Sequence, residues 1–463
     1  MRPSKRRILI RGGTVVTADS ASVRDLLVEG ETIAAVGKLA GVAADERFDV
    51  SGLLVLPGAV DTHVHFNDAF MGTVSVHDFA SGTRAAAYGG VTSVIDFSNQ
   101  RQGEPLLGTV ERKKGEAAGL ALVDWGVHPV ITDPSPETIA GIQDVVIAGA
   151  PTIKCYLTYR QEGLMVDFDE LKSILTALRR AGGMLLVHAE DNDALEENIP
   201  RLIRGGFVRP IYHARSRPPE VEAAAIRRLI DAARLTGGRL FIVHLASSEG
   251  IDLVASARKE GLDILAETCT HYLIFTEDML RRDDGIKWIC SPPLRTPEIR
   301  DRLWEAVRDG IISQVSSDDA AYSWKAKLLG VGRFDLCPNG IPGIEARLPL
   351  LYSEGVVRGR ISLSRLVEVT ATAPACMFGL APRKGSLEPG ADADIALLDP
   401  QAKWVMGQET LHMAADWSAY EGIPVTGKIV KVWSRGDLIV DGEDLIGEKG
   451  RGRYLHRVPW PAA

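Results

Sequence analysis

The sequence predicts an α/β fold: a (β/α)8 TIM barrel over residues 57–382, with a small β-sandwich domain formed by both chain termini, 1–56 plus 383–463. Three observations predict it. Eight short apolar runs alternate with helix-like stretches through the middle of the chain. Both ends show short β-rich runs divided by glycines. Residues able to hold a metal ion sit in or just after five of the eight central runs, where a barrel of this kind collects its chemistry.

The terminal runs come first. Residues 7–10, 13–16, 25–28 and 32–36 are β-rich, with Gly12, Gly13, Gly30 and Gly37 as punctuation. Near the other end 394–398 and 429–432 read as strands, and Gly436 with Asp437 as a turn. The central runs are 59–60, 91–97, 122–127, 152–156, 184–187, 240–243, 264–266 and 311–315. Helical patterns fall between most of them, for example at 168–180, 221–235 and 251–259. Such alternation buries both faces of a parallel sheet. Residues 200–219, bounded by prolines, read as a loop or insertion.

Composition narrows the function. The 463 residues are 45% hydrophobic and 25% charged, ordinary for a globular protein. A net charge of −8 argues against a nucleic-acid partner, since the Lys5, Arg6, Arg7 cluster builds no basic face. Cys155, Cys269, Cys290, Cys337 and Cys376 are odd in number and scattered, without a C-x-x-C pair, which argues against a disulfide framework and against a cysteine zinc site. The apolar run Ile8, Leu9, Ile10 is too short for a signal-peptide core, and no run approaches a membrane span. A cytoplasmic protein acting on a small molecule is expected.

The chemistry lies at the ends of the central runs. His63 and His65 follow the first, Lys154 lies in the fourth, His188 and His244 end the fifth and sixth, and Asp318 follows the eighth. Alternate residues of a strand point to one side, so His63 and His65 can grip one ion. A lone strand-end histidine is usually structural; six such residues at one mouth read as a metal centre. An ammonium is no ligand, and Lys154 is explained by carbamylation with carbon dioxide. The resulting anion has two oxygens and can bridge two divalent ions about 3.5–4 Å apart. Histidine and carboxylate ligands suit zinc, with manganese, cobalt and iron as alternatives.

The chain resembles the dihydropyrimidinase/hydantoinase family of the cyclic amidohydrolases along nearly its whole length. The resemblance rests on Leu56 to His65, Gly82 to Gly90, Ile153 to Tyr159, Cys290 to Arg295, Pro338 to Glu345 and Gly450 to Tyr454. It implies that His63, His65, Lys154 and Asp318 hold one ion, and carbamylated Lys154, His188 and His244 the other. It implies that a metal-bound hydroxide opens a hydantoin or 5,6-dihydropyrimidine ring to an N-carbamoyl amino acid, with Asp318 moving the proton. Tyr159 would stabilise the oxyanion, and Tyr159, Ser291 and Asn339 would hold the cyclic amide. A homotetramer is also implied. Read from sequence alone, Ser291 is a loop residue and Asn339 a turn former.

Several positions depart from or sharpen the resemblance. Asp319 stands where the family usually has histidine, which bears on metal choice and pH optimum. The turn at Ser98, Asn99 and Gln100 lacks the family's prolines. Loops 67–73 and 160–166 are expected to line a side-chain pocket, made partly apolar by Phe70 and Met71. Phe66 and Asn67 replace the arginine of dihydroorotases after the first histidine pair. The stretch from Asp68 to Thr73 lacks the Pro-Gly pair common in allantoinases, the nearest alternative. A non-enzymatic structural or signalling relative would have lost metal ligands, and here all six are present. His77, His128, His213, His412 and His456 fit no strand-end pattern, and His271 reads as packing near the seventh run.

Overall fold

The computed structural model describes residues 6–459; Lys5 of the basic cluster lies outside them. The eight barrel strands are Ala59–Val64, Val91–Asn99, Asp124–Val130, Thr152–Tyr156, Met184–His188, Leu240–Ile242, Ile264–Cys269 and Gln314–Ser316. They pair in chain order as one parallel sheet. The seam closes at the mouth, where Val64 bridges Asp319 and the His65 N–H donates to Asp319 O at 2.9 Å. Inside the barrel Phe97, Leu186, Phe241 and Val243 interlock, and Phe378 packs against Phe241 with ring centroids 5.3 Å apart. Packed layers of large side chains make this interior a core, not a channel.

Helices cover the barrel because their apolar faces meet the outward residues of the strands. Phe168–Ala181 is typical: Asp167 and Glu170 form a capping box, Leu171, Ile174, Leu175 and Leu178 are buried, and Gly182 ends it at φ 75°. The stretch 200–219 is not a loop. It carries the end of the helix Asn192–Arg204, all of Ile211–Ser216 and the start of Pro219–Thr236. Pro200 lies inside the first of these. Asp191 caps that helix through the Ala194 N–H, Leu195 is buried, and Ile199, Leu202 and Ile203 pack on the main core. That packing outweighs the hydrogen bond a proline removes. The eighth strand begins at Gln314 because Gly310, at φ 81°, turns the chain after the preceding helix.

Strands from both termini form one nine-stranded sheet. Leu54–Pro57 joins its halves, pairing in parallel with Arg7–Val16 and antiparallel with Ile395–Met406. The sheet wraps around its own core: Ile33 and Trp433, far apart in strand order, share one cluster, and Phe48 meets Trp433 edge-on at 5.2 Å. A flat sheet would hold such strands tens of ångströms apart. Lys384 ties this sheet to the barrel through buried contacts to Asp124 at 2.7 Å and Asp394 at 2.8 Å. The C-terminal stretch returns along the barrel, where a Cβ on Gly452 would meet Val123 O at 2.1 Å, so only glycine fits. Among the described residues no helix is long and apolar enough to cross a membrane.

Candidate active site and metal centre

One cavity at the C-terminal ends of the strands is lined by His63, His65, Lys154, His188, His244 and Asp318, together with Tyr159, Ser291 and Asn339. All nine residues singled out in the sequence are thereby brought together. The two-residue spacing of His63 and His65 places their rings 5.3 Å apart, both over Phe97. Their Nε2 atoms lie 3.1 and 3.5 Å from Asp318 Oδ1. His188 and His244 face each other edge-on at 4.5 Å. Lys154 Nζ sits between Phe97 and Tyr156, 5.0 Å from each ring, and forms no hydrogen bond or ion pair among the described residues.

A carboxylate backs three of the four histidines. Glu267 of the seventh strand is hydrogen-bonded to His63 Nδ1. Asp68 meets His65 Nδ1 at 2.9 Å and is itself held by Asn99 at 2.8 Å. Glu190 meets His188 Nε2 at 2.7 Å and accepts from Arg217 at 2.7 Å. Each contact occupies one ring nitrogen and orients the other, the arrangement that fixes a metal-binding tautomer. His244 Nδ1 is buried without a hydrogen-bond partner, and His63 Nε2 has only Asp318 Oδ1 beside it. Orphaned imidazole nitrogens of this kind are costly unless a cation accepts their lone pairs.

Electrostatics agree with that reading. Burial would raise Asp318, but His63 and His65 hold it well below the usual carboxylate range. Burial likewise opposes protonation of His63 and His65, yet the carboxylates around them win, and His65 rises to about 9. The site therefore attracts positive charge. Burial leaves His188 and His244 below the ordinary histidine range, with neutral lone pairs at pH 7. It also pulls Lys154 down to about 8, against Asp318 and Glu267. His63, His65 and Asp318 bring ligand atoms within 4.8 Å of one another, so the residues present fit a metal ion.

The opposite wall is built differently. Tyr159 sits at φ 66°, and Asn339 Nδ2 donates to its hydroxyl at 3.3 Å. Burial raises the Tyr159 phenol, against the nearby Arg217, so it remains a hydrogen-bond donor. Phe70 meets the Tyr159 ring edge-on at 5.0 Å, and Met71 lines an adjoining cavity that shares Tyr159 and Asn339. Ser291 Oγ turns to His213 Nε2 at 3.4 Å, and that nitrogen also reaches Cys290 O at 2.9 Å. Among the described residues, five of six non-glycine residues with positive φ lie at this mouth: Asn67, Met71, Tyr159, His244 and Asp318. Such conformations cost energy and cluster where a site over-determines them.

Sequence reading missed the supporting residues. Asp68 and Glu190 sit three and two places after His65 and His188, a spacing that could have flagged them; Glu267 had only its inward register. Asp319 is buried, with Oδ2 2.6 Å from His77 Nδ1 and Oδ1 accepting the Gly343 and Ile344 N–H groups. His77 Nε2 accepts the Ala414 N–H at 3.0 Å, so Nδ1 carries the proton. His77 thus links the closing seam to residues 408–420, which return to the barrel from the terminal domain. His128 contacts Thr152 and Thr62 O, His412 contacts Glu345, and His456 contacts Ile147 O; none of these bonds reaches a metal-ligand candidate. His271 is buried and packs on Tyr272.

The model of the amidohydrolase family matches residues 54–439. The chain belongs to that family. It is 37% identical over 458 residues to a D-hydantoinase of Geobacillus stearothermophilus, covering 98% of this chain and 97% of the relative. It is 40% identical over 458 residues to a D-phenylhydantoinase of Escherichia coli O1:K1, covering 98% and 99%. A solved dihydropyrimidinase from Brevibacillus agri superposes with a TM-score of 0.97 at 36% identity, over 99% of this chain and 100% of that one. An L-hydantoinase from Arthrobacter aurescens superposes at 0.91 and 29% identity, over 96% and 99%. This amidohydrolase therefore shares its frame with relatives named for opposite enantiomers.

Proposed function

We propose that this amidohydrolase opens the ring of a hydantoin or a 5,6-dihydropyrimidine to an N-carbamoyl amino acid. The observation that carries the reading is the single cavity holding six metal-ligand candidates opposite Tyr159, Ser291 and Asn339. His63, His65, Lys154 and Asp318 would hold one divalent ion, and Lys154, His188 and His244 a second. Zinc suits these donors best, with manganese, cobalt or iron as alternatives. Bound there, the ions supply an acidified water and polarise the ring carbonyl.

The chain's own residues do the rest. Lys154, near 8, offers a free amine to carbon dioxide; the N–C bond forms, one proton leaves, and the amine becomes an anionic ligand. Asp318 takes the proton of the attacking water and delivers it to the ring nitrogen as the C–N bond breaks. Tyr159 donates to the carbonyl oxygen as its negative charge grows. Ser291 and Asn339 hold the ring's amide groups. The catalytic unit is residues 57–382, and the reading extends to a homotetramer in the cytoplasm. The test is a turnover panel on metal-loaded enzyme: dihydrouracil, hydantoin, 5-substituted hydantoins, allantoin and dihydroorotate. Faster turnover of allantoin or dihydroorotate than of every hydantoin and dihydropyrimidine would overturn it.

A further inference from the structure

Lys327 ends the short helix Trp324–Lys327 and is fully buried. Its Nζ donates to three backbone carbonyls: Ile289 at 2.9 Å, Pro338 at 2.9 Å and Gly340 at 3.0 Å. All three partners are acceptors, so the group is an ammonium using every proton it has. Among the described residues no carboxylate pairs with it. Its remaining side faces the ring of Trp417, 5.8 Å away, from the stretch that returns out of the terminal domain. Burying a charge on neutral dipoles alone is costly, and residues that need only packing do not require it.

The three carbonyls belong to the two segments that carry Ser291 and Asn339. Ile289 lies two residues before Ser291, while Pro338 and Gly340 flank Asn339. The Gly340 N–H also donates to Ile289 O at 3.0 Å, so that carbonyl is shared between the lysine and the other segment. Gly340 itself is pressed against the loop after Asp318: a Cβ there would lie 2.5 Å from Ala320 O. One ammonium thus bridges two segments that, apart from this single backbone bond, neither a strand pair nor a disulfide joins.

We infer that Lys327 is a positioning residue whose buried ammonium sets the gap between Ser291 and Asn339, and so the grip on the cyclic amide. This rests on the reading of Ser291 and Asn339 given above. Lys327 Nζ bonds only to these carbonyls and touches none of the six metal-ligand candidates. Its loss therefore weakens substrate binding while leaving the metal centre intact, a split that simple destabilisation would not produce.

The test compares the metal-loaded parent with Lys327→Met, which keeps the stem and removes charge and donors. The expected result is unchanged metal content per chain, kcat within about threefold, and KM raised about tenfold or more. A folded Lys327→Met with KM within about twofold of the parent, or one that loses metal in step with activity, overturns the inference. If Lys327→Met does not fold, Lys327→Arg decides: its planar fork cannot meet these three carbonyls together, so KM rises about threefold or more, and an unchanged KM overturns it. A parent that opens neither hydantoin nor dihydrouracil would sink the functional reading instead. The spacing role is then read by amide hydrogen exchange, which must quicken at Gly340 in the variant but not at His65; equal exchange at Gly340 overturns it.

Discussion

The two walls of the cavity are built on opposite plans. The metal wall stands on the barrel strands, and carboxylates back its imidazoles: Glu267 behind His63, Asp68 behind His65, Glu190 behind His188. The substrate wall stands on loops, and its segments are held by backbone hydrogen bonds and by the Lys327 ammonium. The first plan fixes side-chain direction and proton position; the second fixes the spacing of main-chain groups. Ions need the first because ligand geometry is strict. A planar ring amide needs the second because it is read by donors and acceptors at set distances.

Changes on the metal wall should cost most. On the proposed two-ion centre Lys154→Ala would remove the bridging ligand, and kcat should fall by on the order of 10³ or more with loss of about one ion per chain. Short carboxylic acids added to the variant should recover part of both. Elemental analysis beside kinetics checks this, and retention of two ions with activity would break the contrast.

Tyr159→Phe touches the substrate wall without disturbing metal. Losing one oxyanion donor should cost about 10²–10³ in kcat, roughly 3–4 kcal/mol, with KM little changed. A kcat within a few-fold of the parent, at equal metal content, would make Tyr159 a rim residue.

Glu267→Gln tests the backing carboxylates. It keeps the shape but loses the charge behind His63, and metal affinity should fall about 10–100-fold, read by competition with a chelator. Catalysis at saturating metal should fall less. Equal affinity in parent and variant would show that burial alone orients His63.

The smallest effect concerns pH. Burial depresses the Lys154 ammonium to about 8, so the free amine prevails above that pH and declines about tenfold per unit below it. Reactivation of metal-free enzyme with metal, at a dissolved carbon dioxide concentration held equal at every pH, should therefore be about tenfold slower at pH 7 than the limit reached above pH 9. A flat rate across that range would remove carbamylation from the reactivation step.

Periodicity and residue type in the sequence were enough to place the barrel strands, and with them the metal wall. A ligand at a strand end is located by local pattern alone, because strand register decides which way a side chain points. His63, His65, Lys154, His188, His244 and Asp318 were legible as candidates sharing one cavity for that reason. Tyr159, Ser291 and Asn339 lie on loops, where register carries no such information, and they came only through the family resemblance. The stretch 200–219 was misread because prolines are local signals, whereas the burial of Leu195 and the packing of Ile199 and Ile203 are tertiary ones.

What only the tertiary structure decided is the pairing of distant residues. His63 and Glu267 are 204 positions apart, Asp319 and His77 242, and Lys327 finds its acceptors in two loops. No spacing rule reaches across such separations, because those contacts exist only after the eighth strand closes on the first at Val64 and Asp319. The sequence by itself marked the candidate groups and the strands that carry them; closure of the barrel decided what stands behind them.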